Sequence, residues 1–402
     1  MTEARTEPAA APSRRRPRRW WLFRPLDLAA RLWPIRRERR GVLVVRIDGI
    51  GDMVLFQGAF RHYPEALGVA PADITVLGCE SWASLAGAVY PGCRFRAIDE
   101  HSYERRPLYR FKVSLWVRRQ SFAVAICDSF LRRPLVGDSL VYASGAPCRI
   151  VAKPWTSPKT QGAFDWYLAR CRRVVDTGPY PTHEIIRHFR FVSVLDGRQV
   201  RPEAPVLHWP ASPRPLEARY AVLNIGSNEP GRRWPLASFL ALAEHLARRG
   251  LAVVFVGGRA EAGLRPAVAA AATAAGSRGG AFIDRIAATT LPELLDLQQH
   301  AELVVSSDTG PAHLAIALGT PTIVLVGGGH FTSFVPYPAE LTGPRVRFVW
   351  RELACYHCFW LCTQPHRAGD SYPCLQAVPL AQVCQTADEL LAARPPEQGS
   401  DR

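Results

Sequence analysis

Four short stretches of this 402-residue sequence carry side chains whose types and spacing could act on one ligand. Residues 306–314 (Ser-Ser-Asp-Thr-Gly-Pro-Ala-His-Leu) stand between an apolar strand pattern and a helical one. Thr309 or Asp308 can cap that helix, Gly310 lets a ligand approach the backbone, and Pro311 suits the first helical turn. The free N–H groups and the positive end of the helix dipole make such a turn an anion site, toward which His313 projects. Residues 224–235 (Asn-Ile-Gly-Ser-Asn-Glu-Pro-Gly-Arg-Arg-Trp-Pro) follow another strand pattern. There Ser227 and Asn228 offer hydrogen bonds, and Arg232 could neutralise a phosphate without a metal. In residues 257–261 (Gly-Gly-Arg-Ala-Glu), Glu261 stands where a ribose hydroxyl could be bound. In residues 46–52 (Arg-Ile-Asp-Gly-Ile-Gly-Asp), Asp52 opens a helix whose N-terminus keeps a carboxylate ionised, as a general base requires. Singly, each loop also fits a plainer account: a capped helix, a solvated arginine, an N-cap.

Known nucleotide fingerprints are excluded. Gly49-Ile50-Gly51 would need glycine at position 54 to complete GxGxxG, and Val54 is there; no GxxxxGK[ST] occurs. Apolar residues make up 48% and charged residues 21%, which excludes disorder, collagen and coiled coil as descriptions of the whole. The net charge of +15 is concentrated at one end: residues 1–40 hold twelve arginines and four acids, +8, which leaves +7 for the other 362 residues. A basic tail without a recognition module argues against a nucleic-acid partner.

The elements that must hold these loops alternate. Strand patterns at residues 42–47, 74–77, 95–98, 123–127, 140–142 and 149–151 are separated by helical or loop segments, which predicts a parallel sheet covered by helices. The proline-rich residues 201–215 read as a linker. A second series follows: strands at 220–225, 251–256, 303–306 and 322–326, with helices at 236–249, 260–275, 291–298 and 311–318. The predicted organisation is a basic tail over 1–40, a first α/β domain over 41–200, a linker over 201–218, a second α/β domain over 219–378, and a C-terminal helix and tail over 379–402. Two such domains make a cleft, and ligands of open parallel sheets sit at the carboxyl ends of the strands.

Two features lie outside the loops. From Trp20 to Arg40, aromatic and aliphatic residues are interleaved with arginines, which suits the surface of an anionic membrane or a helix packed on the body; residues 1–18 are expected to be disordered. Ten cysteines are too few for a disulfide scaffold, and Arg24, Pro25 and Asp27 interrupt any secretory signal core, so a cytosolic, reducing location is expected. Cys355, Cys358, Cys362 and Cys374 could converge on one structural zinc or iron ion, with His357, His366 or Cys384 as substitutes; reduced thiols packed in a loop are the plainer alternative.

Together, in order and spacing, the loops resemble glycosyltransferase family 9, the ADP-heptose:lipopolysaccharide heptosyltransferases. The matching pieces are RIDGIGDMVL (46–55), NIGSNEPGRRWP (224–235), VGGRAE (256–261) and SSDTGPAHLAIALGTPTIVL (306–325), and the resemblance spans residues 42–391. It implies a GT-B fold with two Rossmann-like domains facing across a cleft: an N-terminal acceptor domain, a C-terminal nucleotide-sugar domain and a terminal helix crossing back. It also implies inverting transfer that needs no catalytic metal or other cofactor. Carried onto this chain, Asp52 is the base and Arg232, where the family usually has lysine, holds the diphosphate leaving group. Gly51, Ser227, Asn228, Gly257, Asp308, Thr309, Gly310 and His313 line the donor site, and Glu261 meets the ribose. Ile225 replaces a usual proline and residues 326–329 (Val-Gly-Gly-Gly) replace a Phe-Gly-Pro-Thr-like stretch, changes that bear on the sugar.

The expected activity is transfer of a sugar, heptose from ADP-heptose as the first choice, to a glycan or lipid-linked acceptor in bacterial surface polysaccharide synthesis. The expected place is the cytoplasmic face of the inner membrane, held peripherally through residues 20–40. The alternatives are a relative using another nucleotide sugar for capsule, O-antigen or protein glycosylation, and an inactive nucleotide-sugar-binding scaffold.

Overall fold

The computed structural model describes residues 18–35, 38–276 and 281–393. The disorder expected of residues 1–18 falls outside the described residues apart from Arg18, which starts a helix, as does the tail beyond residue 393. The chain packs as two compact units. Among the described residues, one comprises those up to Gly49 with Ala59–Tyr180 and Ile186–Arg201; the other comprises Ile50–Gly58, Pro181–Ile185 and those from Pro202 onward. The first turns of the helix Ile50–Phe60, which carry Asp52, therefore belong to the second unit.

The first unit is built on β1 (Val42–Arg46), β2 (Ile74–Cys79), β3 (Arg94–Ile98), β4 (Val124–Cys127), β5 (Cys148–Ala152) and β6 (Arg173–Val175), in the order β3-β2-β1-β4-β5-β6. All pairings are parallel, with Val44 opposite Val76 on one side and Ile126 on the other. Central strands covered on both faces must be apolar throughout, and β1 and β2 are buried along their whole length. Leu43, Val45, Leu77 and Ala125 form one core with Val117, Phe122 and Leu140.

The second unit repeats the plan with β7 (Tyr220–Asn224), β8 (Ala252–Gly257), β9 (Phe282–Ile286), β10 (Leu303–Ser307), β11 (Thr322–Leu325) and β12 (Val346–Val349). Its order, β9-β8-β7-β10-β11-β12 read from that edge, is the Rossmann order again. Strand alternation splits the core: Ala221, Leu223, Val253, Phe255 and Val305 face the helix Leu236–Ala247, and Val222, Val254 and Val304 face the helix Leu291–Gln299. The helix Leu380–Ala392 adds Val383, Ala387 and Leu390 to the first of these cores, and Asp388 accepts from His245 Nε2 at 2.8 Å.

One expectation needs correction. Residues 140–142, read as a strand, lie in the buried helix Ser139–Ser144; so short an apolar run has no periodicity to separate the two states. The aromatic-basic stretch forms the helix Arg18–Leu32, which packs on the first unit against Pro107–Arg119 and Ser139–Ser144. Its buried face is Trp20, Phe23, Asp27 and Ala30, spaced as one helical stripe. Beneath it Asp27 accepts two hydrogen bonds from Arg110, at 2.8 and 2.7 Å, and others from Ser139 Oγ at 2.8 Å and Tyr167 Oη at 3.2 Å. Trp20 meets Trp166 edge-on with centroids 5.3 Å apart. The opposite face stays in solvent, with Trp21 68% and Leu22 56% exposed. No helix among the described residues is long and apolar enough to cross a membrane.

Candidate functional site

In each sheet the strand order reverses between two central strands, β1 and β4 in the first and β7 and β10 in the second, and ligands of such folds bind beyond the carboxyl ends there. The loops 225–235 and 308–313 leave β7 and β10 at that place. Asn224, the last residue of β7, ties them together: its Nδ2 donates to Ser306 Oγ at 2.9 Å and to Thr309 Oγ1 at 3.0 Å. Thr309 is the N-cap residue of the helix Gly310–Ala317, but its side chain makes no capping bond; the hydroxyl donates to Ser307 O at 3.2 Å instead. The helix start is thus left open to an anion.

His313 is buried, with Nδ1 2.7 Å from Tyr337 Oη, Nε2 3.5 Å from Asp308 Oδ1 and its ring stacked on Tyr337. Burial pushes the Asp308 carboxyl up, but the His313 hydrogen bond and the charge of Arg232 outweigh it and hold it below the ordinary carboxylate range. Arg232 ends a short 3-10 turn; its Nη2 donates to Asp308 O at 2.9 Å, and its guanidinium lies 4.3 Å from the centre of the Trp360 ring.

The turn 49–51 lies directly against this loop. A Cβ on Gly51 would come within 2.8 Å of His313 Cδ2, and one on Gly310 within 2.7 Å of Ile50 Cβ, so both contacts require glycine. This brings the N-terminal turn of Asp52 to the Asp308–His313 segment within one compact unit. His330 joins the same place. Its ring lies 5.1 Å from Phe359 and 5.5 Å from Phe334, and it feels the charges of Asp308, Arg232 and Asp52; burial lowers its pKa.

Glu261, Gly257 and Ser227 form a second group. The buried Glu261 accepts from Gly258 N at 2.7 Å and from Ser227 N at 3.5 Å, and pairs with Arg233 Nη2 at 2.5 Å. Asn228 is exposed on the same loop. Glu261, the residue given to the ribose, is therefore paired with an arginine that sequence reasoning did not single out.

The thiols of Cys355, Cys358 and Cys362 are half-buried, that of Cys374 is buried, and all four are reduced. Burial pushes the Cys358 and Cys374 thiols up, and Cys355 adds to both. Among the described residues no three of these donors lie within 4.8 Å of one another; the one such group of His, Cys, Asp and Glu is Asp99, Glu100 and His101.

At the corresponding place in the first sheet, Arg46 at the end of β1 is buried and holds Asp128 beyond β4, Nη1 to Oδ1 at 2.6 Å, and Asp48 Oδ2 at 2.8 Å. His188 Nδ1 lies 2.7 Å from the other Asp128 oxygen, and Ser129 Oγ donates to Asp48 Oδ2 at 3.1 Å. Neither this network nor His330 carried a motif: Arg46 and Asp48 stood in the loop of Asp52 without a role of their own, and Asp128 and His188 meet them only in the fold.

Two parallel six-stranded sheets of Rossmann order in one chain are the architecture of the GT-B fold. The model of glycosyltransferase family 9 (heptosyltransferase) matches residues 197–364. Solved structures agree in fold. ADP-heptose LPS heptosyltransferase II of E. coli is 18% identical, covering 88% of this chain and 98% of its own, with a TM-score of 0.63. A family 9 glycosyl transferase of Veillonella parvula is 16% identical, covering 89% and 98%, with a TM-score of 0.66. The iron-containing dodecameric heptosyltransferase TibC, with ADP-D-beta-D-heptose, is 15% identical, covering 88% and 77%, with a TM-score of 0.52. No curated protein matches the chain in sequence.

Proposed function

We propose that this glycosyltransferase moves a sugar, heptose from ADP-heptose as the first choice, to a hydroxyl of a glycan or lipid-linked acceptor of bacterial surface polysaccharide, with inversion. The observation that carries the reading is the close apposition of Gly51 and His313, which sets the Asp52 turn beside the open start of the helix Gly310–Ala317. Asp52 takes the proton of the acceptor hydroxyl as that oxygen attacks the anomeric carbon from the face opposite the leaving group. The bond from that carbon to the diphosphate oxygen breaks, and its electron pair leaves with the nucleoside diphosphate. Arg232, the helix start and the amides around Gly310 receive the developing charge, which is why no catalytic metal is called for. Glu261 is turned to the ribose by exchanging its Arg233 contact. A donor carrying another sugar, for capsule, O-antigen or protein glycosylation, would use the same machinery.

Cys355, Cys358, Cys362 and Cys374 are proposed to hold one structural zinc or iron ion. Four thiols are a donor set suited to either, and the cysteine loop would have to tighten around the ion. The solved relative TibC is iron-containing. The outer face of the N-terminal helix exposes Trp21, Leu22 and Leu32, with Trp33 just beyond its end, and Arg31 lies in the field of Arg39, Arg149 and Arg170; exposed rings near a concentration of positive charge support peripheral binding to an anionic inner-membrane surface.

The experiment is a donor panel: ADP-heptose, UDP- and GDP-sugars with release of nucleoside diphosphate, alongside thermal shift with ADP, GDP and UDP. ADP-selective stabilisation with turnover of ADP-heptose is expected. Selective response to UDP or GDP overturns the heptose assignment, and binding without any turnover favours an inactive scaffold.

A further inference from the structure

The cysteine-rich segment after β12 is distant in sequence from the donor loops, yet it forms part of their wall. Three consecutive glycines after β11, Gly327, Gly328 and Gly329, make this possible. A Cβ on Gly329 would lie 2.1 Å from the Trp360 ring, one on Gly328 2.5 Å from Tyr356, and one on Gly327 within 2.7 Å of both Leu375 and Trp360. The backbones are stitched as well: His357 N donates to Gly328 O at 2.7 Å and Phe359 N to Gly329 O at 2.8 Å. His357, Phe359 and Trp360 all hold left-handed φ, at 66°, 54° and 60°, a conformation that non-glycine residues keep only where the surroundings enforce it.

The strained turn presents two adjacent rings. Phe359 meets His330 edge-on at 5.1 Å, and Trp360 lies under the Arg232 guanidinium at 4.3 Å. From the other side, Tyr372 stacks on Trp360 at 6.3 Å and fills the space at Gly231, where a Cβ would come within 2.4 Å of its ring. Arg232 Nε and Trp360 Nε1 are buried donors for which the described residues supply no acceptor, as befits a place built for an anion.

We propose that Trp360 is a positioning residue for nucleotide-diphosphate binding: it holds the Arg232 guanidinium by cation–π stacking, so that the cysteine loop sets donor affinity through it. This rests on the reading that Arg232 binds the donor diphosphate. A leucine at 360 keeps an apolar filling but removes the π face, whereas phenylalanine keeps a ring.

The test is calorimetric titration of the full chain with ADP, GDP and UDP for wild type, Arg232→Ala, Trp360→Leu and Trp360→Phe, with steady-state kinetics on whichever donor turns over. Trp360→Leu should weaken nucleotide binding and raise donor KM by roughly tenfold, the size of a partly desolvated cation–π contact, with acceptor KM unchanged. Trp360→Phe should recover most of the loss. If Arg232→Ala binds nucleotide like wild type, or wild type binds none of the three, the diphosphate reading fails and this inference with it. If Arg232→Ala loses binding but Trp360→Leu and Trp360→Phe behave alike, the stacking role is overturned. Should Trp360→Leu not fold, failure of Trp360→Phe to bind within about threefold of wild type overturns the stacking role just as well.

Discussion

Replacing Asp128 by asparagine tests how the first sheet holds the loop that leads to Asp52. Asp128 is buried and makes two short contacts, 2.6 Å to Arg46 Nη1 and 2.7 Å to His188 Nδ1. Removing one member of a buried pair costs about 3–5 kcal/mol because the other charge stays behind uncompensated. Arg46 here retains Asp48 at 2.8 Å, so the lower end, about 3 kcal/mol, is expected. The loss should also depend on pH. Burial pushes the Asp128 carboxyl up, yet Arg46 and His188 outweigh it and hold it well below the usual carboxylate range. A group depressed in the folded state contributes stability above its unfolded pKa, about 3.9, and loses it as pH falls through the lower folded value. Urea unfolding followed by exchange protection of the β1 and β4 amides should show the full deficit of Asp128→Asn from about pH 5 upward, shrinking below about pH 4 as the wild type loses its advantage. A deficit under about 1 kcal/mol at pH 7, or one independent of pH down to 2, would refute the ion-pair account.

Asp52→Asn should lower turnover by roughly 10²–10⁴-fold with nucleotide affinity nearly unchanged, as calorimetry and kinetics on one preparation will show. Asp27→Ala should destabilise the first unit by about 3–5 kcal/mol, because Arg110 would keep its charge beneath the N-terminal helix without the carboxylate; denaturant unfolding measures it. For the same reason, deleting residues 1–40 should harm folding, so membrane binding is better tested with Trp21→Ser and Leu22→Ser, which should reduce sedimentation with anionic vesicles at low salt and leave thermal stability unchanged. Elemental analysis of untagged protein should find near-stoichiometric zinc or iron that is lost in Cys355→Ser with Cys358→Ser; metal-free protein of full activity leaves the thiols as packing groups.

What could be read from the sequence divides along physical lines. The central strands were legible because burial on both faces demands an unbroken apolar run, and the loops 225–235 and 308–313 because they combine glycine, proline and polar residues at strand ends. The strands that escaped notice, β6, β9 and β12, are edges of their sheets, where charged residues such as Arg173, Asp284 and Arg347 are tolerated and dilute the pattern. The N-terminal helix was legible as amphipathic but not as docked, since an apolar stripe with arginines fits a protein or a membrane; Asp27 decides it only once Arg110 is beneath it. His330 and Phe359 meet through a chain return of twenty-nine residues, which no local pattern encodes.

The two sheets share one strand order but not one chemistry at the switch point, and the difference indicates where an anionic donor belongs. In the first sheet the bridging groups satisfy one another: Arg46 faces Asp48 and Asp128, and Asp128 faces His188. A phosphate there would have to break a buried ion pair. In the second sheet the bridge is the neutral amide of Asn224, bonded to the hydroxyls of Ser306 and Thr309. Thr309 is thereby turned away from the helix start it would otherwise cap, and Arg232, tied to Asp308 mainly through a backbone carbonyl at 2.9 Å with its carboxylate at 3.9 Å, keeps most of its charge for a ligand. A fold used twice thus leaves its switch point open to an anion once, in the unit where the bridging side chain is neutral.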